Sequence, residues 1–155
     1  MNFNNYFEYK DGSLFWKIAK QKIKIGQKAG CLNNSGYRII RLNQKSYLEH
    51  RIIFALHHGY MPNFIDHIDG NKLNNNIDNL REATKTQNHY NKSLQKNNTS
   101  GVKGVVWHKA SKKWAVKLVV NKKIKNFGTY FDIEYAKFVV EAMRYKYHGN
   151  FANNG

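Results

Sequence analysis

From Asp66 to Asn91 the chain reads DHIDGNKLNNNIDNLREATKTQNHYN, a stretch through which no long regular element can run. Asp69-Gly70 is a turn signal, and Asn71, Asn74, Asn75 and Asn76 are turn formers whose short amides brace loops. The segment therefore reads as a short strand, Phe64–Ile68, then a braced loop, then a short helix. Thr84 can cap that helix, which carries Gln87, Asn88 and Tyr90. It opens on an Asp-His pair, Asp66-His67, and closes on Gln87-Asn88-His89.

The charge around this segment is one-sided. Among 155 residues, 26 Lys+Arg stand against 10 Asp+Glu, a net charge of +16. Such an excess opposes compaction unless a polyanion is the partner, so nucleic acid is the expected ligand. No amphipathic basic helix and no long apolar run supports a membrane role. The single cysteine, Cys31, excludes a disulfide framework and a Cys-rich zinc site. It reads as a buried small hydrophobe in a reducing compartment. The opening MNFNNYFEYKDG lacks an apolar signal region, so the cytoplasm is the expected location.

The stretch 93–101, SLQKNNTSG, has no apolar periodicity and reads as a linker. Residues 98–155 hold 11 Lys+Arg and 3 Asp+Glu, and residues 1–97 hold 15 and 7, so each half carries +8. Both halves are suited to meeting phosphate. In the first, Leu14–Ile18, Tyr37–Leu42 and Ser46–Glu49 read as strands, with Asn43-Gln44 as a turn. His50 to His58 has helical spacing and stops at Gly59. In the second, strands are expected at Val102–Trp107, Trp114–Val120 and Lys123–Thr129, with a turn at Asn121-Lys122. Asp132 can cap a helix from Ile133 to about Tyr147, with the stripe Ala136, Val139, Val140 and Met143. The expected fold class is α+β, with domains at residues 1–95 and 96–155.

Cutting a phosphodiester requires deprotonated water, a cation for the pentacovalent phosphate and the departing oxygen, and in-line placement. An imidazole titrates near neutrality and suits the first task. Asp66 and Asn88 offer the oxygens that a hard divalent ion prefers. Because neighbouring strand residues face opposite ways, His67 and Asp66 would approach the phosphate from different sides.

DHIDGNKLNNNIDNL followed by Gln87-Asn88, with GYRIIRLNQKSYLEHRIIF before it, resembles the HNH homing endonucleases of phages and mobile introns and their ββα-metal fold. The resemblance covers roughly residues 30–93. It implies that His67 is the general base, Asp66 one metal ligand, and Asn79 the middle Asn that pins the loop and so orients His67. Asn88 takes the last motif position as the second ligand, where many relatives carry His. The neighbouring His89 leaves a register one residue later open, and Asn88 is preferred because an oxygen ligand suits Mg²⁺ or Mn²⁺. One ion per active site is implied. His50-Arg51 matches the family's helix entry, with Arg51 a candidate phosphate contact.

SGVKGVVWHKASKKWAVKLVVNKKIKNFGTY, with the helix ending YHGNFAN, resembles the plant ethylene-response-factor DNA-binding domain over residues 99–152. That resemblance implies a three-stranded sheet laid in the major groove with a helix behind it. Lys103, Lys113 and Lys117 are the candidate groove residues, and Lys109 and Lys112 the candidate phosphate contacts. Val106 and Lys117 stand where the plant pattern has Arg and Glu, so the plant target sequence does not carry over. Trp107 and Trp114 are expected in the core.

Together these readings give a divalent-metal-dependent endonuclease of the homing type acting on double-stranded DNA. A monomer, or a weak homodimer, would nick one strand and leave 5′-phosphate and 3′-hydroxyl ends. The competing expectations are a catalytically silent DNA-binding regulator and a binder of structured RNA.

Overall fold

The computed structural model describes residues 2–19 and 22–155. It divides into two compact units, Met1–Thr84 and Lys85–Gly155, and its elements mix helix with antiparallel sheet.

The first unit begins with a hairpin of β1 (Phe7–Lys10) and β2 (Ser13–Trp16), turned by Asp11 and Gly12 at positive φ. A three-stranded antiparallel sheet follows, made of β3 (Cys31–Leu32), β4 (Arg38–Leu42) and β5 (Lys45–Leu48). Asn43 (φ 48) and Gln44 (φ 65) join its last two strands in the left-handed conformation a two-residue hairpin needs. Helix α1 (Glu49–His58) ends at Gly59, whose φ of 79 is the usual left-handed stop. Its buried Ile52, Ile53 and Phe54 pack with Phe7, Leu14 and Ile40 in one core. A short antiparallel pair, β6 (Ile65–His67) and β7 (Leu80–Glu82), adds Ile65 and Leu80 to that core. The Asn-rich loop joining β6 to β7 runs hard against the first hairpin. A Cβ on Gly12 would lie 2.9 Å from the Asn76 nitrogen, so only glycine permits the approach.

The second unit comprises α2 (Lys85–Tyr90), the antiparallel sheet β8 (Val105–His108), β9 (Lys113–Val120) and β10 (Lys123–Tyr130), and α3 (Ile133–His148). Asn121 and Lys122 form the expected tight turn. The Asp132 carboxylate caps α3 by accepting from the Tyr135 N–H at 2.7 Å. Val105, Val116, Ala136 and Val140 form the core between sheet and helix. No helix among the described residues is long and apolar enough to cross a membrane.

Several expectations are corrected. Cys31 is exposed, because the two-residue β3 is an edge strand whose side chains leave the core. Strand β8 starts at Val105 rather than Val102. Gly104 adopts φ +83 there, and a Cβ on it would meet the Lys117 carbonyl at 2.8 Å, so the chain bends before it pairs. Trp107 is 46% exposed, with Trp114 edge-on against it at 4.9 Å. The compact units divide after Thr84, which assigns α2 to the same unit as the sheet and α3.

Candidate active site

The β6–β7 pair places the Asp-His dipeptide opposite Arg81 and Leu80. Asp66 and His67 are both buried, at 8% and 6% exposure, at the end of β6, just before a loop rich in exposed polar groups. Arg81, directly across the ladder from Asp66, donates from Nε (2.9 Å) and Nη2 (2.7 Å) to one carboxylate oxygen, Oδ2. A carboxylate this buried is stable only with such a partner.

His67 sits at the end of a chain of polar side chains. Its Nε2 lies 2.9 Å from Asn75 Oδ1. Asn75 Nδ2 donates to Glu49 Oε2 at 2.8 Å, and Glu49 Oε1 accepts the Leu14 N–H at 2.9 Å. Arg38 Nε stands 3.7 Å from Glu49 Oε2. Burial raises the Glu49 pKa, while the hydrogen bonds from Leu14 and Asn75 and the charges of Arg38 and Lys28 act to lower it. The first turn of α1 also supplies His50, edge-on to the His67 ring at 4.9 Å and 76°. Burial, followed by the nearby His67 and Arg51, pushes the His50 pKa down to about 3, so His50 is a neutral wall. Tyr37 closes another side, 5.4 Å from His50 and 6.2 Å from His67. Its hydroxyl pKa is raised by burial and by the negative charge of Asp66.

Asn79 ties the loop shut. Its Nδ2 donates to Asp69 Oδ1 (2.9 Å) and to the Asn74 carbonyl (2.8 Å), and its Oδ1 accepts the Asp69 N–H (3.0 Å). Burial acts to raise the Asp69 pKa, but bonds from Asn74, Asn79 and the Asn71 N–H outweigh it and hold the carboxyl below its ordinary value. Asn79 thus fixes the loop that carries Asn75, and Asn75 touches the imidazole.

Residues 47–90 match the family model for HNH endonuclease. The chain is 39% identical over 89 residues to Protein 3.8 of Escherichia phage T7, covering 57% of this chain and 73% of that protein. Over residues 47–90 the chain is similar to the HNH endonuclease family. It is also 42% identical over 103 residues to an uncharacterized HNH endonuclease of Acanthamoeba polyphaga mimivirus, and 35% over 94 residues to a second one. These matches cover 63% and 56% of this chain, but only 52% and 27% of the two mimivirus proteins. No solved structure matches.

Against the HNH expectations, the first unit brings together His67, Asp66 and Asn79. Asn88 lies half-buried on α2 of the second unit, beside an exposed His89. Among the described residues, no three of His, Cys, Asp and Glu cluster to hold a metal ion. The donors that the family pattern names are a carboxylate and a carboxamide, both oxygens. That set fits an ion such as Mg²⁺, which keeps several waters and takes one or two carboxylates plus substrate phosphate.

Two expected DNA contacts, Arg51 to phosphate and Lys103 in the groove, are engaged inside the protein. Arg51 donates to the carbonyls of Asn63 (3.0 Å) and Pro62 (2.6 Å), bracing the extended segment that follows α1. Lys103 gives its ammonium to the carbonyls of Tyr90 (3.1 Å), Lys92 and Asn153 (2.7 Å). Burial and the nearby Arg144 lower its pKa to about 8. Lys109, Lys112 and Lys117 are exposed, and Lys113 lies over the Phe131 ring at 4.2 Å. Glu49, Tyr37 and Arg81 escaped the sequence reading as site residues, and Asn75 and His50 entered it only as a loop brace and as part of the helix entry. Only Arg81 had a signal there, since pairing Asp66 across the hairpin selects its partner.

Proposed function

We propose that this protein is a divalent-metal-dependent HNH endonuclease that hydrolyses phosphodiester bonds of double-stranded DNA, with His67 as general base. The observation that carries the reading is the imidazole of His67, buried next to Asp66 and held by a hydrogen-bonded side chain in a strongly basic protein. A buried histidine that served packing alone would not need a relay of a carboxylate and an amide behind it.

In this reading a water in line with the scissile bond gives its proton to the His67 ring. Its oxygen forms the new bond to phosphorus, and the 3′ oxygen departs with the old bonding pair and takes a proton from solvent. The products are 5′-phosphate and 3′-hydroxyl ends. A Mg²⁺ or Mn²⁺ ion, held by Asp66 with Asn88 as the second ligand implied by the family pattern, would supply positive charge for the transition state and the leaving oxygen. Arg81 holds Asp66 in one rotamer, and Asn79 keeps the loop closed. His50 and Tyr37 wall the imidazole. One such site cuts one strand, so a monomer nicks. The second unit adds DNA affinity through its exposed Lys109, Lys112 and Lys117, with Lys113 at the margin, in the manner of an ethylene-response-factor domain. A homing role fits the same chemistry.

The test is relaxation of supercoiled plasmid with Mg²⁺, with EDTA, and with a duplex RNA competitor. The reading expects nicked circles with Mg²⁺, none with EDTA or with His67→Ala, and weak competition by RNA. Cleavage in EDTA, or binding without cleavage in every metal, contradicts it.

A further inference from the structure

Behind His67 lies a chain of hydrogen bonds whose directions all follow once Glu49 is ionised. The Leu14 N–H can only donate, so Glu49 Oε1 accepts. Glu49 is buried to 1% exposure; burial raises its pKa, and the Leu14 and Asn75 donors, with Arg38 at 3.7 Å, oppose that rise and support the carboxylate. A carboxylate has no proton to give, so its other oxygen, Oε2, must face the Asn75 amide nitrogen at 2.8 Å. The amide oxygen of Asn75 must then face His67, and it too can only accept. His67 Nε2, 2.9 Å away, must therefore carry the hydrogen. A neutral imidazole with a hydrogen on Nε2 has its lone pair on Nδ1.

We propose that Glu49 and Asn75 are positioning residues that hold His67 in the Nε2–H tautomer and thereby make Nδ1 the nitrogen that takes the proton from water. This rests on His67 being the base, as proposed above. The fold supports the arrangement from three separate elements. Glu49 opens α1, Leu14 belongs to β2, and Asn75 is held in a loop that Asn79 closes and against which Gly12 alone can pack. Asn75 is itself buried to 2% exposure. Nothing in the relay moves when the proton is transferred. The proton passes from water to Nδ1, the ring becomes imidazolium, and Nε2–H still donates to Asn75.

The directionality gives a test that a purely structural role would not pass. In Glu49→Gln the side-chain oxygen must stay on the Leu14 N–H, which cannot turn round. The new amide then points its N–H₂ at Asn75, and Asn75 must flip to accept it. Asn75 would present N–H to His67 Nε2, and the ring would switch to the Nδ1–H tautomer. In the double variant Glu49→Gln/Asn75→Asp, the amide introduced at position 49 donates to the carboxylate introduced at position 75. That carboxylate can only accept from His67, and the original tautomer returns.

The measurement is the long-range ¹H–¹⁵N spectrum of the imidazole rings in ¹⁵N-labelled full-length protein, read where the histidines are neutral and assigned with His67→Ala. It is paired with single-turnover plasmid nicking in Mg²⁺ and with DNA affinity. The wild type should show Nε2–H at His67, and Glu49→Gln should show Nδ1–H with nicking about 10²-fold slower at unchanged DNA affinity. The double variant should recover both tautomer and rate. The proposal is overturned if the wild type shows Nδ1–H, a result that needs no variant to fold, or if Glu49→Gln keeps Nε2–H. It is also overturned if the tautomers switch as described while the rates stay level. His67→Ala nicking at the wild-type rate would instead remove the assignment of the base, whatever the tautomers show.

Discussion

Each unit buries a cluster of polar side chains around a histidine, and the two clusters are wired differently. Around His67 the bonds run from side chain to side chain: Glu49 to Asn75, Asn75 to His67, Arg81 to Asp66. Around His148 they run to the backbone. His148 Nε2 bonds the Val119 carbonyl at 2.8 Å, and Arg144 bonds the Lys103 carbonyl and the Asn154 side chain. Lys103 caps three carbonyls, and Asn153 donates to the Asn91 carbonyl at 2.9 Å. Tyr90 lies flat on His148, with ring centroids 3.6 Å apart. Bonds to backbone carbonyls fasten chain segments, here the end of α2 and the C-terminal tail, onto the sheet and α3. Bonds between side chains fix rotamers and protonation, which is what a reacting group requires. Burial of a histidine therefore says little by itself, and the nature of its partners separates a strap from a site.

The largest predicted effect tests the carboxylate of the first cluster. Asp66→Ala should slow nicking by on the order of 10²-fold or more, with partial recovery at raised Mn²⁺, because loss of a metal ligand removes several kcal/mol of charge stabilisation. Nicking unaffected by Asp66→Ala would place the ion elsewhere.

The second cluster should respond in stability instead. Arg144→Met leaves the Lys103 carbonyl without its donor beneath the sheet, at a cost of about 1–3 kcal/mol. Urea denaturation measures that loss, and the nicking rate of the remaining folded protein should be unchanged. A stable Arg144→Met protein with lost nicking would break the comparison.

Acid should act on both clusters. His50 and His148 are held neutral by burial, with their pKa values below the ordinary 6.5. Such groups bind more protons when unfolded. Their stabilisation is complete above pH 6.5 and is lost as the pH falls, down to about 3 for His50. The urea midpoint should drop through this window, and His50→Gln should flatten the drop. A midpoint independent of pH there contradicts the neutral assignment.

The smallest effect separates lysines that face outward from those that face inward. Lys117→Ala should make the slope of log K against log salt shallower by about one unit, and Lys103→Ala should leave the slope as it is, since its ammonium is inside. Equal slope changes for both would mean that Lys103 leaves its carbonyls when DNA binds.

Much of the fold was legible in the sequence wherever one rule governed. Asn43-Gln44, Asn121-Lys122 and Gly59 marked turns and a stop by their conformational tolerance, and the Asp132 cap and the Ala136–Val140 stripe marked α3. The Asp66–Asn88 spacing carried the family. What stayed hidden depends on long-range closure. Glu49 reads as the end of a strand until the fold sets it in the first turn of α1 against Leu14 and Asn75, 35 and 26 residues away in sequence. Asn75 is one of three consecutive asparagines, and nothing local distinguishes it from Asn74 or Asn76. Lys103 and Arg51 looked like DNA contacts because charge alone does not reveal whether carbonyls converge on a cation.

The central claim, that the His67 cluster performs chemistry and the His148 cluster holds structure, is tested most directly by single-turnover nicking of His67→Ala and His148→Ala at saturating protein and matched fraction folded. The account predicts that His67→Ala loses about 10²–10⁴-fold in rate while binding plasmid as the wild type does, and that His148→Ala nicks at the wild-type rate with a lower urea midpoint. Wild-type nicking by His67→Ala, or a comparable loss of rate in a fully folded His148→Ala protein, would contradict it.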